Sequence, residues 1–348
     1  MDTQFLHAAE QVIGKYSLQA ENIFLLSYTG KKVIWAIQAK SGEFILKKMA
    51  ISEERIRFML HAIDYLTGNG VYTPGIVRTP SGEGYVTFED EHFVVFESVR
   101  GRSPNYDNPD DLLKIVAGMA EFHNASRGIE IPDGTEAACH LGEWKAVFQK
   151  RYGELVQWKE QIAKAKNRTD FDRLFFEHVD VFLDQCRESI HMLDQSCYEQ
   201  WVAVARYIKT LSHPNFDVEN LTIADNGNLY VHDMDSLSID LPVHDLRKIL
   251  NQVMKQRKEW DLHLFLNMTK AYQEMHSLTK GQYFVLTADL LFPHLFHDQV
   301  SKYYQNRPPK WTELKHISRL KDLIATEISK EKVLRSFLNR LDEVVLHG

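Results

Sequence analysis

The chain has 348 residues, of which 44% are hydrophobic and 26% charged, a length beyond one compact core and a balance ordinary for a globular protein. Its formal net charge of -7 excludes the basic excess of a typical nucleic-acid binder, and no apolar run approaches the roughly 18 residues that a membrane span needs. The opening MDTQFLHAAEQVIGKY has neither a basic start nor an apolar stretch, so no secretory leader is expected, and Cys139, Cys186 and Cys197 lack framework spacing and read as thiols of a reducing compartment.

Residues 1 to about 100 read as strands with one helix. IFLLSYT, KVIWAIQAK and EFILKKM are rich in β-branched and aromatic residues and are separated by Gly30 and Ser41-Gly42, which predicts an antiparallel meander. A helix is expected from Ser52 to Leu66, with Ser52 as N-cap and Glu53 and Glu54 in its first turn. IVRT, YVTFE and FVVFESV predict two or three further strands, and Gly82-Glu83-Gly84 between them reads as a hairpin turn because it opens no helix.

After Arg102 the pattern changes to helix, interrupted only near 211–235. Helices are expected over 110–126, 144–166, 169–194, 198–209, 243–257, 261–276, 280–304 and 312–344. In the one over 169–194, Phe171, Leu174, Phe175, His178, Val181, Phe182, Cys186, Ile190 and Leu193 recur at three- and four-residue spacing and mark its buried stripe. The expected organisation is a strand-rich lobe over 1–100 and a helical lobe over 101–348 that carries a hairpin at 211–235. The boundary falls in the turn-rich VRGRSPNYDN, Val99 to Asn108.

The chemistry sits in LSHPNFDVENLTIADNGNLYVHDMDS. LTIA and LYVH flank the turn Asp225-Asn226-Gly227-Asn228. His213-x-Asn215-x-x-x-x-Asn220 precedes the first strand, and Asp233-x-Asp235 follows the second. Kinases place H-x-D-x-x-x-x-N before such a hairpin and a metal-binding aspartate after it. The loop aspartate orients the attacking hydroxyl, and the asparagine and distal aspartate offer the hard oxygens that Mg²⁺ prefers. His213, Asn220 and Asp233 occupy three of these places. Upstream, Lys47 ends Phe44-Ile45-Leu46 as a kinase strand lysine does, while Lys48 should point to the opposite face. Each feature alone is weak, since a lone lysine after a strand is usually solvated, but lobe order, lysine, loop and acidic pair together predict an α+β, protein-kinase-like two-lobed fold.

With these residues in place, the chain resembles the aminoglycoside phosphotransferase and choline kinase branch of the kinase-like superfamily, and within it the spore-coat CotS/CotI family. The resemblance is carried by FILKK at 44–48, AEFHNASRG at 120–128, LGEWKAVFQKRY at 141–152, VHDMDSLSIDLPVHDLRKIL at 231–250 and ADLLFPHLFHDQVSKYY at 288–304. It implies synthesis in the mother-cell cytoplasm followed by a place in the spore coat, with other coat proteins as partners. It also implies ATP and Mg²⁺ as cofactors and a small-molecule acceptor. By the same resemblance, Lys47 contacts nucleotide, the backbone of Glu97-Ser98-Val99 meets adenine, Asn220 and Asp233 are metal ligands, and Asp245 braces the catalytic loop.

The departures from the pattern bear on activity. Asn215 stands at the catalytic aspartate position, and an amide cannot take a hydroxyl proton, a loss typically of about 10²–10⁴-fold in rate. Asp217, two residues along, points elsewhere. The place of the helix glutamate that pairs with the strand lysine falls near Met59, with Glu53 and Glu54 more than a turn earlier. Pro214 replaces a small residue of the loop, and Gly30, with Lys31 and Lys32 beside it, is the only glycine of the first hairpin. Two readings stay open: a coat component with impaired catalysis, and an active ATP- and Mg²⁺-dependent small-molecule phosphotransferase. Elsewhere, His294 and His297 beside Phe292 and Phe296 read as partly buried core, and neither they nor Cys139-His140 have the further ligands of a zinc site. Tyr303, Tyr304 and Trp311 read as packing of the last helices.

Overall fold

A computed structural model describes residues 2–345. In chain order these form α1 (Asp2–Ile13), β1 (Ala20–Thr29), β2 (Lys32–Ala39), β3 (Gly42–Lys48), α2 (Glu53–Gly68), β4 (Ile76–Val77), β5 (Val86–Phe88), β6 (Glu91–Glu97), β7 (Gly101–Arg102), α3 (Pro109–Ser126) and β8 (Ala138–Cys139). Then come α4 (Trp144–Lys164), α5 (Asp170–Gln195), α6 (Tyr198–Tyr207), β9 (Leu211–Ser212), β10 (Leu221–Ala224), β11 (Leu229–Val231) and β12 (Ser238–Ile239). The chain closes with α7 (Val243–Arg257), α8 (Leu262–Met275), α9 (Lys280–Leu291), α10 (His294–Tyr304), α11 (Glu313–Leu338) and α12 (Asp342–Val345). Two compact units result, and both are discontinuous. One gathers the residues up to Asn105 with Ala125–Ala138 and Asn215–Ser238; the other gathers Tyr106–Asn124, Cys139–Pro214 and the residues from Ile239 onward.

The first unit is built on an antiparallel sheet of order β1-β2-β3-β6-β4, with β5 also on β6. The pleat sorts β3 by period two. Phe44 and Leu46 enter a core with Trp35, Val33 and Val95, whereas Ile45 and Lys47 face the other way. α1 covers the core face through Ala9, Val12 and Ile13, at helical spacing, and Tyr16 of the following turn joins them. This helix lies beyond the single helix expected of the first 100 residues. A second correction concerns Gly82-Glu83-Gly84. The strands around it do not pair with each other; β4 and β5 lie end to end along the same edge of β6, with Ile76 opposite Phe96 and Val86 opposite Phe93. A second small sheet, β11-β10-β7, belongs to the same unit. There Gly101 approaches so closely that a Cβ would lie 2.3 Å from the Ile223 carbonyl oxygen.

The second unit is helical. α5 buries Phe171, Phe175, Val179, Phe182, Cys186 and Leu193, and its Phe182 ring stacks on Phe296 of α10 at 3.9 Å. Val181 of the expected stripe is instead 46% exposed, so the buried arc is centred one residue away. The helix expected over 280–304 is two helices, because Pro293 supplies no N–H and cannot continue the ladder. The ends so exposed are capped by α11. Glu327 accepts the Leu295 N–H at 2.9 Å, and Lys330 donates to the Phe292 carbonyl at 3.3 Å. Those two side chains also pair with each other and are wholly buried, each carrying a partner for its charge. The helix expected over 312–344 likewise ends at Leu338 and resumes at Asp342. No helix among the described residues is long and apolar enough to cross a membrane.

Candidate functional site

A pocket opens on the sheet face opposite α1, wholly within the first unit. Three layers line it. β3 and β6 provide Ile45, Lys47 and Phe96; α2 provides Met59 and Ile63; and the segment after β11 provides His232, Asp233, Met234 and Asp235. Its rim is Glu97, Ser98 and Val99. The N–H of Glu97 donates to the Gly75 carbonyl at 2.8 Å and that of Ser98 to the Glu43 carbonyl at 3.0 Å, which holds this rim as a continuation of the sheet. Mostly apolar walls with a few convergent polar groups are the usual make-up of a small-molecule site.

Those polar groups meet at the floor. Lys47 Nζ donates to Asp233 Oδ1 at 3.0 Å and lies 5.7 Å from the centre of the Phe96 ring. Lys48 points to the other face, as the pleat requires, and pairs with Glu91 at 2.7 Å. Asp233 adopts the left-handed conformation (φ 58°, ψ 50°). For a residue with a Cβ this costs on the order of 1–3 kcal/mol, and such residues cluster at functional sites. A second lysine joins them. Lys32 Nζ is 2.6 Å from Asp235 Oδ2 and 3.5 Å from Asp233 Oδ2. Burial acts to lower the Lys32 pKa, but the hydrogen bond and charge of Asp235, with Asp233 added, outweigh it and hold the ammonium above its ordinary value.

α2 brings no carboxylate to Lys47. Its pocket-facing residues are Met59 and Ile63, while Glu53 pairs with Arg57 and accepts from the Tyr85 hydroxyl. The absence of a helix glutamate opposite the strand lysine therefore has a simple counterpart: Lys47 pairs with Asp233 instead.

The loop before β10 is ordered by its own backbone. Asp217 caps the short turn at Val218–Asn220, accepting the Glu219 N–H at 3.0 Å, so its carboxylate is engaged locally. Asn220 Nδ2 donates to the Asn215 carbonyl at 3.0 Å, which ties the two asparagines together and leaves Oδ1 as the acceptor arm of the Asn220 amide. The Asn220 carbonyl in turn accepts the His232 N–H at 2.9 Å, placing the loop beside the residue that precedes Asp233. Asn215 itself is exposed.

In the helical unit, Asp245 is 1% exposed and accepts the Ser212 hydroxyl at 2.5 Å, the His213 N–H at 2.6 Å and His123 Nε2 at 3.1 Å. Tyr272 lies 2.6 Å from His123 Nδ1, so a Tyr272–His123–Asp245 relay holds the residues that lead into the loop. Burial alone would raise the Asp245 pKa, yet the His123 hydrogen bond and charge, with Ser212 and His244, hold it well below the usual carboxylate range. A second pocket lies wholly in this unit between Trp144, Asp240, His244, Arg247 and His294. His294 and His297 are buried and paired, with Asp289 at 2.8 Å and Glu154 at 2.7 Å.

Asn220 Oδ1 and Asp233 have the oxygen chemistry of a Mg²⁺ site. However, no three His, Cys, Asp or Glu side chains converge as a metal cluster among the described residues. Both acids of the Asp233-x-Asp235 pair already hold ammonium groups. The donor set as it stands does not fit a dedicated divalent-cation cage.

Residues 9–337 match the family described as "Spore coat putative kinase YutH". The chain belongs to that family. It is 29% identical over 338 residues to spore coat protein S of Bacillus subtilis (strain 168), covering 96% of this chain and 93% of that protein. Its fold is similar to the crystal structure of an aminoglycoside phosphotransferase from Alicyclobacillus acidocaldarius, with a TM-score of 0.81 at 19% identity over 97% of this chain and 96% of the other. It is also similar to spectinomycin phosphotransferase solved with ADP and spectinomycin, with a TM-score of 0.61 at 11% identity over 94% and 98%. The α+β kinase-like fold expected from the sequence is the observed one.

Within the first unit the structure brings Lys47, Asp233, Glu97 and Val99 to one pocket and ties Asn220 to Asn215. His213 and Asp245 meet in the helical unit. Sequence reasoning missed Lys32, whose signal was the Gly30-Lys31-Lys32 run, and His123, whose partner is 122 residues away.

Proposed function

We propose that the chain is a spore-coat component that binds an adenine nucleotide in the first-unit pocket and transfers its phosphoryl group slowly or not at all. Family membership and a relative named as a spore coat protein support the location. The pocket supports the ligand. Its apolar walls Ile45, Met59 and Ile63 suit a purine, the rim at Glu97 to Val99 presents peptide groups at its edge, and the Lys47 ammonium suits the phosphates. A structural neighbour carries ADP in its solved complex.

The observation that carries the impaired step is Asn215. Phosphoryl transfer depends mostly on positioning and charge, so a site lacking the loop carboxylate keeps the ability to bind while losing the group that orients the attacking hydroxyl. Asp217 does not replace it, being engaged as the cap of the adjacent turn. No step through Mg²⁺ belongs to this reading. The second reading, an active small-molecule phosphotransferase, draws on the retained Lys47 and Asn220 and on the polar second pocket in the helical unit. The two are separated by titrating ATP calorimetrically and following ADP release. Binding without turnover supports the first reading; robust turnover abolished by Asp233→Ala supports the second.

A further inference from the structure

The first hairpin delivers a charge to the acidic pair. β1 and β2 are joined through Gly30, whose φ of 63° allows the tight reversal, and Lys32 is the first residue of β2. Its ammonium reaches both Asp235, at 2.6 Å, and Asp233, at 3.5 Å, while Lys47 holds the other oxygen of Asp233 at 3.0 Å. The result is an alternating series, Lys47–Asp233–Lys32–Asp235, drawn from β2, β3 and the turn after β11. Its formal charges sum to zero.

That neutrality is local to the acidic pair, since Glu97 adds a further carboxylate at the pocket rim, and it bears on what can approach Asp233 and Asp235. Two carboxylates facing Lys47 alone would leave one negative charge beside the place a nucleotide's phosphates must take, and like charges a few ångströms apart repel strongly where water is thinned out. A divalent cation is the ordinary remedy. Here Lys32 supplies the missing positive charge from the protein itself. Its ammonium has three donors, so it can keep Asp235 and still offer an N–H to a phosphate oxygen. A cation seeking both carboxylates would have to displace Lys32, and Mg²⁺ gives up its water reluctantly for carboxylates already paired with an ammonium.

We propose that the Lys32 ammonium stands in for a divalent cation at Asp233 and Asp235, so that this pocket binds nucleotide without metal. The proposal rests on the nucleotide reading above. It makes Lys32 a positioning and charge-neutralising residue, distinct from Lys47.

The test is calorimetric titration of ADP into the full chain, once in excess EDTA and once in excess MgCl₂, for the wild type, Lys32→Met and Lys32→Arg. Thermal melts without ligand establish that each variant is folded. The wild-type affinity is expected to agree within about threefold between the two buffers. Lys32→Met is expected to lose roughly tenfold or more in EDTA and to recover in Mg²⁺, whereas Lys32→Arg keeps metal-free binding. Wild-type binding seen only with Mg²⁺ overturns the proposal and leaves the nucleotide reading standing. Lys32→Met behaving as the wild type in both buffers also overturns it, because Lys32 is then only a surface ion pair. No binding by the wild type in either buffer overturns the nucleotide reading and this inference together.

Discussion

Lys47 and Asp233, 186 residues apart in sequence, meet at 3.0 Å on the floor of the first-unit pocket. One is the lysine of the third strand, which in a kinase-like site holds nucleotide phosphates, and the other the acid after the hairpin, which there binds the metal. In this chain they hold each other, with no helix glutamate between them.

Replacing Lys47 with Met should weaken ADP binding by roughly tenfold or more while changing stability by no more than about 1 kcal/mol. The Lys47 and Asp233 side chains are 20% and 24% exposed, so water screens the pair and its loss is felt mainly by the ligand. Calorimetry and a denaturant titration on the same variant check both halves.

Asn215→Asp restores the missing carboxylate. Asn215 is exposed and meets Asn220 through its backbone carbonyl, so the substitution leaves that hydrogen bond in place. If the rest of the site is competent, phosphoryl transfer to water or to an acceptor should rise by about 10²–10⁴-fold. Unchanged turnover in a variant that still binds nucleotide would show that positioning, and not only the base, has been lost.

Asp245→Asn should destabilise the chain by about 2–4 kcal/mol. The carboxylate accepts from Ser212, the His213 backbone and His123 in a fully buried setting, and an amide would turn its NH₂ toward at least one of those donors. Urea unfolding at neutral pH measures the loss.

Asp240 makes a pH-dependent contribution. Burial raises its pKa from 3.8 to about 7, against the hydrogen bonds from the Leu241 N–H and Trp144 Nε1. Its folded pKa exceeds the unfolded one, so the folded state holds the extra proton and the associated stability is full below about pH 4 and lost as pH rises through about 7. Asp240→Asn keeps the acceptor for Trp144 and removes the titration. The variant should match the wild type near pH 4 and exceed it at pH 8 by on the order of 4 kcal/mol in thermal or denaturant unfolding.

Much of the architecture was legible because local signals agreed. Ser52 caps α2 as expected, and Thr169 opens α5 with a full capping box. The helix starting near 280 was read as one because α9 is buried on nearly every side, so periodicity carries no information there and only Pro293 marks the break. α1 did carry a signal, since Ala9, Val12 and Ile13 follow the helical period. The site divided in the same way. Lys47 and Asp233 could be placed because motif spacing ties each to a strand end. Lys32 was not, because Gly30 marks the bend of the first hairpin but no motif spacing ties the residue after that bend to Asp235, far along the chain. The Asp245 network was half visible: its bracing role was implied by resemblance, but Tyr272 and His123 come from helices whose contact no single window of sequence records.

The central claim is that the first-unit pocket binds an adenine nucleotide while Asn215 withholds transfer. The most direct measurement is a calorimetric titration of ATP into the full chain, with ADP release followed in the same samples. The account predicts one saturable site, weakened by Lys47→Met, and little or no ADP release. Absence of binding at millimolar ATP, or rapid turnover with Asn215 in place, would contradict it.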